Sequence, residues 1–176
     1  MKLVIASDIH GAATWCERLV SQIGAIRPDY VVLLGDLLYH GPRNDLPADY
    51  NPRRVIELLS SISPLVVAVR GNCDAEVDQM VLPFPIMADS NLIMDGQRRL
   101  FLTHGHVYGP GLHNSVNRMP ALSPGDALLY GHTHVKVRED RDGIMLFNPG
   151  SVGIPKDGSH SFGVYDGGEF EFRTLD

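Results

Sequence analysis

The sequence predicts an α/β protein with its functional groups gathered at one edge of a parallel sheet. Three observations lead there. Apolar runs alternate with helical patterns as far as residue 70. The rest of the chain reads as short strands. Five polar clusters rich in Asp, His and Asn each follow a strand, the edge where open α/β sheets bind ligands.

Residues 3–6 are a short apolar run of the fully buried strand type. Residues 12–24 predict a helix, with Leu19, Val20 and Ile23 on one stripe and Gly24 near its stop. Residues 30–34 form a second buried strand, ended by Gly35-Asp36. Pro52 suits the first turn of a helix holding Val55, Ile56, Leu58 and Leu59. Residues 64–69 form a third strand, ended by Arg70-Gly71-Asn72. This β-α-β-α-β order with short turns implies a parallel sheet with crossover helices. Strands then follow at 91–95, 98–103, 126–130, 135–139, 143–147, 161–165 and 169–174. Asp95-Gly96, Asp142-Gly143 and Gly167-Gly168 supply turns, so this half is expected to be mostly a β-meander, paired or mixed. The proline-rich loop at 40–52 has the length of a functional loop. Residues 82–86 read either as an apolar interface or as a buried connector. Trp15 and Tyr30 read as packing residues.

Composition narrows the classes. The 176 residues carry 15 Lys and Arg against 21 Asp and Glu, a formal charge of −6. One domain spanning 1–176 is expected at this length, with a core that needs no staples. The acidic balance disfavours a broad nucleic-acid or anionic-membrane surface. Cys16 and Cys73 make no disulfide framework or CxxC pair. The apolar run near residue 3 is too short for a signal-peptide core, and no segment approaches the ~18 apolar residues of a membrane span. A soluble cytoplasmic protein is expected, with no membrane partner.

The five clusters are Asp8-Ile9-His10, Gly35-Asp36, Gly71-Asn72-Cys73-Asp74, His104-Gly105-His106 and Gly131-His132-Thr133-His134. Carboxylate, imidazole and amide donors suit hard or borderline divalent ions. Asp8 and His10 are spaced i, i+2, as are His132 and His134. In extended backbone each pair would point into one cavity. Any one cluster alone has an ordinary reading: Asp8 as a helix cap, Gly35-Asp36 and Gly71-Asn72 as turns, the histidines as satisfied polar residues. Five in this order point to metal. Asp8, His10, Asp36, Asn72, His104, His132 and His134 exceed the needs of one tetrahedral ion and suit two sharing a bridge, for which Asp36 is the choice.

This pattern, D-x-H, G-D, G-N, H and G-H-x-H, resembles the calcineurin-like metallophosphoesterases. The stretches SDIHG, LGDLLYHGPRN, AVRGNCDAEVDQM, LFLTHGHVYGP, YGHTHV and FNPGSVGIPK resemble the YfcE-type group of small bacterial phosphodiesterases within them. The resemblance implies a four-layer α/β/β/α sandwich. It places Asp8, His10, Asp36 and His134 around one ion, and Asp36, Asn72, His104 and His132 around the other. It implies Mn2+ first, with Fe, Zn, Co, Ni or Mg as alternatives. The reaction expected from two such ions is in-line attack of a bridging hydroxide on the phosphorus of a small phosphodiester.

One position departs from the pattern. Cys73 stands where the family has a histidine over the phosphate. A neutral thiol is a weak donor, and a packed small side chain is the expected role. A monoester with a poor leaving group should suffer most, which favours diesters. Arg43, near His40 and Asn44, is a candidate for a phosphate oxygen. His106 is a candidate donor near the leaving group, or else simply a neighbour that supports His104. Asp74 is expected to orient the Asn72 region, and the Asn148-Pro149-Gly150-Ser151 turn to lie near the site. The alternatives are a non-enzymatic interaction scaffold, for which a retromer subunit of this fold is the precedent, and a small-nucleotide phosphomonoesterase or nuclease. The scaffold should have lost a ligand, yet all seven are present. No basic aromatic groove suits a long nucleic acid. A homo-oligomer stays open.

Overall fold

The run at the start of the chain is apolar at every position because both faces of its strand are covered. A computed structural model describes residues 1–176. Strand β1 (Lys2–Ala6) leads to helix α1 (Ala13–Ile26), strand β2 (Tyr30–Leu33), helix α2 (Pro52–Ser61), strand β3 (Val66–Ala68) and the short helix α3 (Glu76–Gln79). Nine strands follow: β4 (Ser90–Asp95), β5 (Arg98–Thr103), β6 (Gly109–Pro110), β7 (Asn117–Arg118), β8 (Ala127–Leu129), β9 (Lys136–Arg141), β10 (Ile144–Pro149), β11 (Ser161–Asp166) and β12 (Glu169–Thr174).

These strands form two five-stranded sheets, ordered β12-β11-β1-β2-β3 and β4-β5-β8-β10-β9, plus the ribbon β6-β7. In the first sheet β1, β2 and β3 are parallel, with Leu3 opposite Tyr30 and Val31 opposite Val66. The expected β-α-β-α-β half is present. The second half is mixed, as expected, with three hairpins, but its strands do not pair in simple chain order. Hairpin β11-β12 joins the first sheet antiparallel to β1, and β8 lies parallel between β5 and β10. Local turn signals fix the hairpins β4-β5, β9-β10 and β11-β12, but not the partners chosen by their outer edges.

Alternate residues divide the core. Val4, Ala6, Val31 and Leu33 pack with Cys16, Leu19, Ile23, Val55 and Leu59 under α1 and α2. Leu3, Ile5, Val32 and Leu34 meet Leu100, Leu102, Leu129 and Phe147 between the sheets. Each fully buried Leu, Ile, Val or Phe contributes about 1.5–3 kcal/mol, so these layers dominate the stabilisation. On the far face of the second sheet, Leu128, Tyr130 and Leu146 are covered by Leu112, Met119 and Leu122. The outcome is the α/β class expected, two stacked sheets flanked by covering layers. The covering layer on that far face is the segment that carries β6-β7.

Helix ends differ from the expectation at one point. Gly24 lies inside α1, and Arg27 ends it in left-handed backbone at φ 52°, its N–H donating to Ile23 O. Pro52 does open α2, capped by the Asn51 side chain, which accepts from Arg54 N. Tyr30 is exposed rather than packed, whereas Trp15 stacks on His160 at 3.5 Å. Residues 82–86 are the buried connector: Leu82, Phe84 and Ile86 face the core. No helix is long and apolar enough to cross a membrane.

Candidate metal centre

Five loops at the strand ends converge on one point. Asp8 and His10 follow β1, Asp36 follows β2, Asn72 and Cys73 follow β3, His104 follows β5, and His132 and His134 follow β8. Asp8, His10, Asp36, His104 and His134 are buried, while Asn72 is exposed. Extended backbone does not produce the i, i+2 pairs. Asp8, His10, Asp36, His132 and His134 have φ of 56°, 50°, 56°, 70° and 59°. Non-glycine residues pay for that left-handed region, and such outliers cluster where a site demands them.

Close approach explains the glycines beside them. A Cβ on Gly71 would collide with the Asp36 carboxylate and backbone, and one on Gly131 with the Ser7 hydroxyl and Asp8 Oδ2. Asp74 ties the same loops. Its carboxylate accepts the N–H groups of Asp36 (2.8 Å), Leu37 (2.9 Å) and Gly71 (2.7 Å). The Asn148 amide donates to Gly131 O and Thr133 Oγ1, and the Ser151 hydroxyl donates to Asp8 O. The Asn148–Ser151 turn therefore clamps two ligand loops together. Asp8 caps no helix: α1 starts at an Ala12 N-cap without a side-chain bond.

The imidazoles share one orientation. Nδ1 of His10, His104 and His134 sits 2.7 Å from the carbonyls of Tyr39, Leu34 and Ile154. With Nδ1–H donated there, each Nε2 lone pair turns inward, the arrangement metal-binding histidines use. His134 Nε2 lies 3.3 Å from Asp8 Oδ1 and 3.4 Å from His10 Nε2. His10 and His104 Nε2 lie 3.5 and 3.4 Å from Asp36 Oδ2. His104 Nε2 is also 3.0 Å from Asn72 Oδ1. Asp36 Oδ2 thus stands between His10 and His104, while Asp36 Oδ1 accepts the Cys73 N–H at 2.8 Å.

Electrostatics follow from this crowding. Burial works against the Asp8 carboxylate, but His134, His10 and His104 hold its pKa well below the usual range. Burial likewise opposes charge on His104, yet Asp36 and Asp8 outweigh it and raise His104 to about 9. Burial and the neighbouring His104 push His132 down to about 4. The donor set fits divalent cations. Asp8-His10-His134 and Asp8-Asp36-His104 each bring their ligand atoms within 4.8 Å of one another. Asp8 Oδ1 is buried without a hydrogen-bond donor, so a cation there would answer an otherwise unmet acceptor.

Cys73 is not simply packed away. It is half-buried, receives a hydrogen bond from Asn72 Nδ2 at 3.2 Å, and its sulfur lies near His10 and Asp36. Burial and the adjacent Asp36 carboxylate push its thiol up to about 12, so it stays protonated near neutrality. His106 sits beside the centre rather than on the cleft wall, its ring 5.3 Å from that of His104 and 6.3 Å from that of His132. Its buried Nδ1 has no partner. Above the centre opens a cleft of about 930 Å³ with Arg43, Asn44 and Asn72 on its walls. Tyr39, His113, Asn114 and Lys156 also line it, and sequence reasoning gave them no role. Two of the stretches quoted for the resemblance, LGDLLYHGPRN and FNPGSVGIPK, contain Tyr39 and Lys156.

These loops gather donors that could hold divalent ions at the edge of a two-sheet α/β fold. The sequence model of the calcineurin-like phosphoesterase superfamily domain matches residues 1–168, and the chain belongs to that superfamily. It is accordingly an enzyme of the phosphoesterase class, one whose members use divalent metal ions. Among characterised relatives, Phosphodiesterase YfcE of Escherichia coli strain K12 is 50% identical over 167 residues, covering 94% of this chain and 88% of the relative. The solved structure of E. coli YfcE, described as a phosphoesterase, superposes with a TM-score of 0.94 at 47% identity, over 100% of this chain and 94% of that one. Phosphodiesterase MJ0936 of Methanocaldococcus jannaschii is 30% identical, with 99% and 98% coverage. Chaetomium thermophilum Vps29 shares the fold alone, at a TM-score of 0.65 and 17% identity over 94% of this chain and 81% of that one.

Proposed function

We propose that the chain is a metal-dependent phosphodiesterase using a dinuclear centre on a small phosphodiester. One observation carries the reading: buried carboxylate oxygens and inward-facing imidazole Nε2 atoms, 3.3–4.0 Å apart, floor an open polar cleft. Its parallel with a named phosphodiesterase at 50% identity supports the diester. Asp8, His10, Asp36 and His134 would hold one ion. Asp36, Asn72, His104 and His132 would hold the second, with Asp36 shared. Mn2+ is the first candidate metal. When bound, the ions supply Lewis acidity toward phosphate oxygens and an activated water.

The chain's own residues do the rest. The carbonyls of Tyr39, Leu34 and Ile154 fix three imidazoles so that Nε2 faces the clustered carboxylates. Arg43, exposed on the cleft wall, reaches a non-bridging phosphate oxygen through its guanidinium fork. His106, kept neutral by burial and the neighbouring His104, would offer an N–H toward the departing oxygen from beside His104 and His132. Cys73 offers no comparable donor, which leaves the enzyme dependent on good leaving groups and disfavours monoesters. We read residues 1–176 as one working unit of the cytoplasm, since both halves supply ligands and Cys16 and Cys73 are free.

The test is turnover of bis-p-nitrophenyl and mono-p-nitrophenyl phosphate after stripping the protein and reloading it with defined ions. The diester should be preferred with Mn2+. Asp36→Asn should lower turnover more than about 100-fold while keeping the fold, because even partners that only position ligands cost about 10–100-fold. A preference for the monoester, or an active Asp36→Asn protein, would overturn the reading.

A further inference from the structure

Beside the polar cleft runs a second, apolar depression of about 360 Å³, a size within the ~300–1,000 Å³ range of small-molecule sites. The two are continuous: Tyr39, Cys73 and Ala75 line both. Beyond that shared wall the lining includes Tyr50, Ile56, Val77 and Val81, with Asp78 as its one charged residue. Val77 is 63% exposed, Val81 47% and Tyr39 42%. Large apolar groups are usually scattered singly over a surface, and clustering beside a cleft marks a binding surface.

These side chains are held in place. Asp78 accepts the Ala75 N–H at 2.9 Å. The Gln79 amide donates to Phe84 O at 3.0 Å and accepts from Ile86 N at 2.8 Å, fastening the segment to the buried connector. Leu82, Phe84 and Ile86 take the core positions, so Val77 and Val81 have no buried place to collapse into. Cys73, at the join, presents a thiol where the superfamily pattern has a polar imidazole.

We propose that this trough is a subsite for an apolar substituent, aryl or alkyl, of the phosphate ester held at the metal centre. The inference rests on the phosphodiesterase reading and adds a substrate class to it: esters amphipathic in shape, with the phosphate over the donors and a hydrocarbon group against Val77 and Val81.

Methyl, butyl and hexyl phosphate would be used as inhibitors of bis-p-nitrophenyl phosphate turnover by the Mn2+-loaded enzyme. The inhibition constant should fall about twofold to fourfold per methylene that enters the trough. Val77→Asp should flatten the series. Independently of turnover, the methyl resonances of Val77 and Val81 should shift on adding hexyl phosphate and stay still with methyl phosphate. Equal inhibition by all three, with still methyl resonances, would sink the subsite and leave the diester reading intact. Absence of bis-p-nitrophenyl phosphate turnover would sink the diester reading, and the valine resonances would still decide the trough. If the protein sediments as a dimer that Val77→Asp dissociates, and the alkyl series keeps its slope, a second copy covers this face and the subsite is wrong.

Discussion

Asp74 shows how a single carboxylate can organise a site through the backbone around it. It gathers the amides of Asp36, Leu37 and Gly71, and so sets the backbone that aims Asp36 inward. Burial raises its pKa even though those amides favour the charged form. Asp74→Ala would strand three buried donors. We expect a loss of about 1–3 kcal/mol in stability, read from the urea midpoint, together with a fall in turnover. Asp74 was legible as an orienting residue because it lies beside Asn72 in sequence. That its main hold is on the loop 38 residues earlier was not legible, because only folding brings the two loops together. Cys73 offers the complementary test. Cys73→His restores a donor beside Asp36 and should raise mono-p-nitrophenyl phosphate turnover relative to the diester. An unchanged ratio would show that position 73 does not set the monoester preference.

Among the elements, β8 is the central strand of the second sheet and seats Gly131-His132-Thr133-His134. Its start is locked by Asp126, which accepts from Arg99 N at 3.0 Å, Arg99 Nε at 2.9 Å and Ser123 N at 2.8 Å. Burial would raise the Asp126 pKa, but Arg99 and these amides outweigh it and lower it. A lowered carboxyl contributes stability above the unfolded value of about 3.9 and loses it as pH falls through the folded value. Wild type should therefore exceed Asp126→Asn in stability at pH 6, and the gap should close below about pH 4. Urea titrations at both pH values check this; a gap independent of pH would be contrary. Sequence patterns marked the ten strands of the two main sheets, but not β6 or β7 and not this pairing. β5 and β8 are parallel neighbours separated by a long segment, and no short turn announces such a pair.

For the whole molecule, the centre couples the two halves of the chain. Asp8, His10, Asp36 and Asn72 come from the first, and His104, His132 and His134 from the second. An ion held by both should stabilise the native state over the unfolded one, by about 2.7 kcal/mol at a hundredfold excess over Kd. Thermal melts in chelator and in Mn2+ should differ, with Tm higher in Mn2+, and Asp8→Asn should shrink the difference. Equal melting points would mean that the centre does not link the halves. Much of this was written in the sequence. Fully apolar runs meant strands covered on both faces, and polar clusters just past them meant a site at the sheet edge. Donor chemistry follows from residue type, so the candidate ligands could be named without coordinates. Their presentation could not. Left-handed turns at Asp8, His10, Asp36, His132 and His134 replace the extended backbone that spacing alone suggested. The same limit hid the return of β11-β12 to the first sheet, the cleft position of Lys156 and the trough beside Cys73. Sequence patterns report local periodicity and chemical type. Backbone strain, sheet partners and the joining of cavities depend on contacts between distant residues, which only the tertiary fold decides.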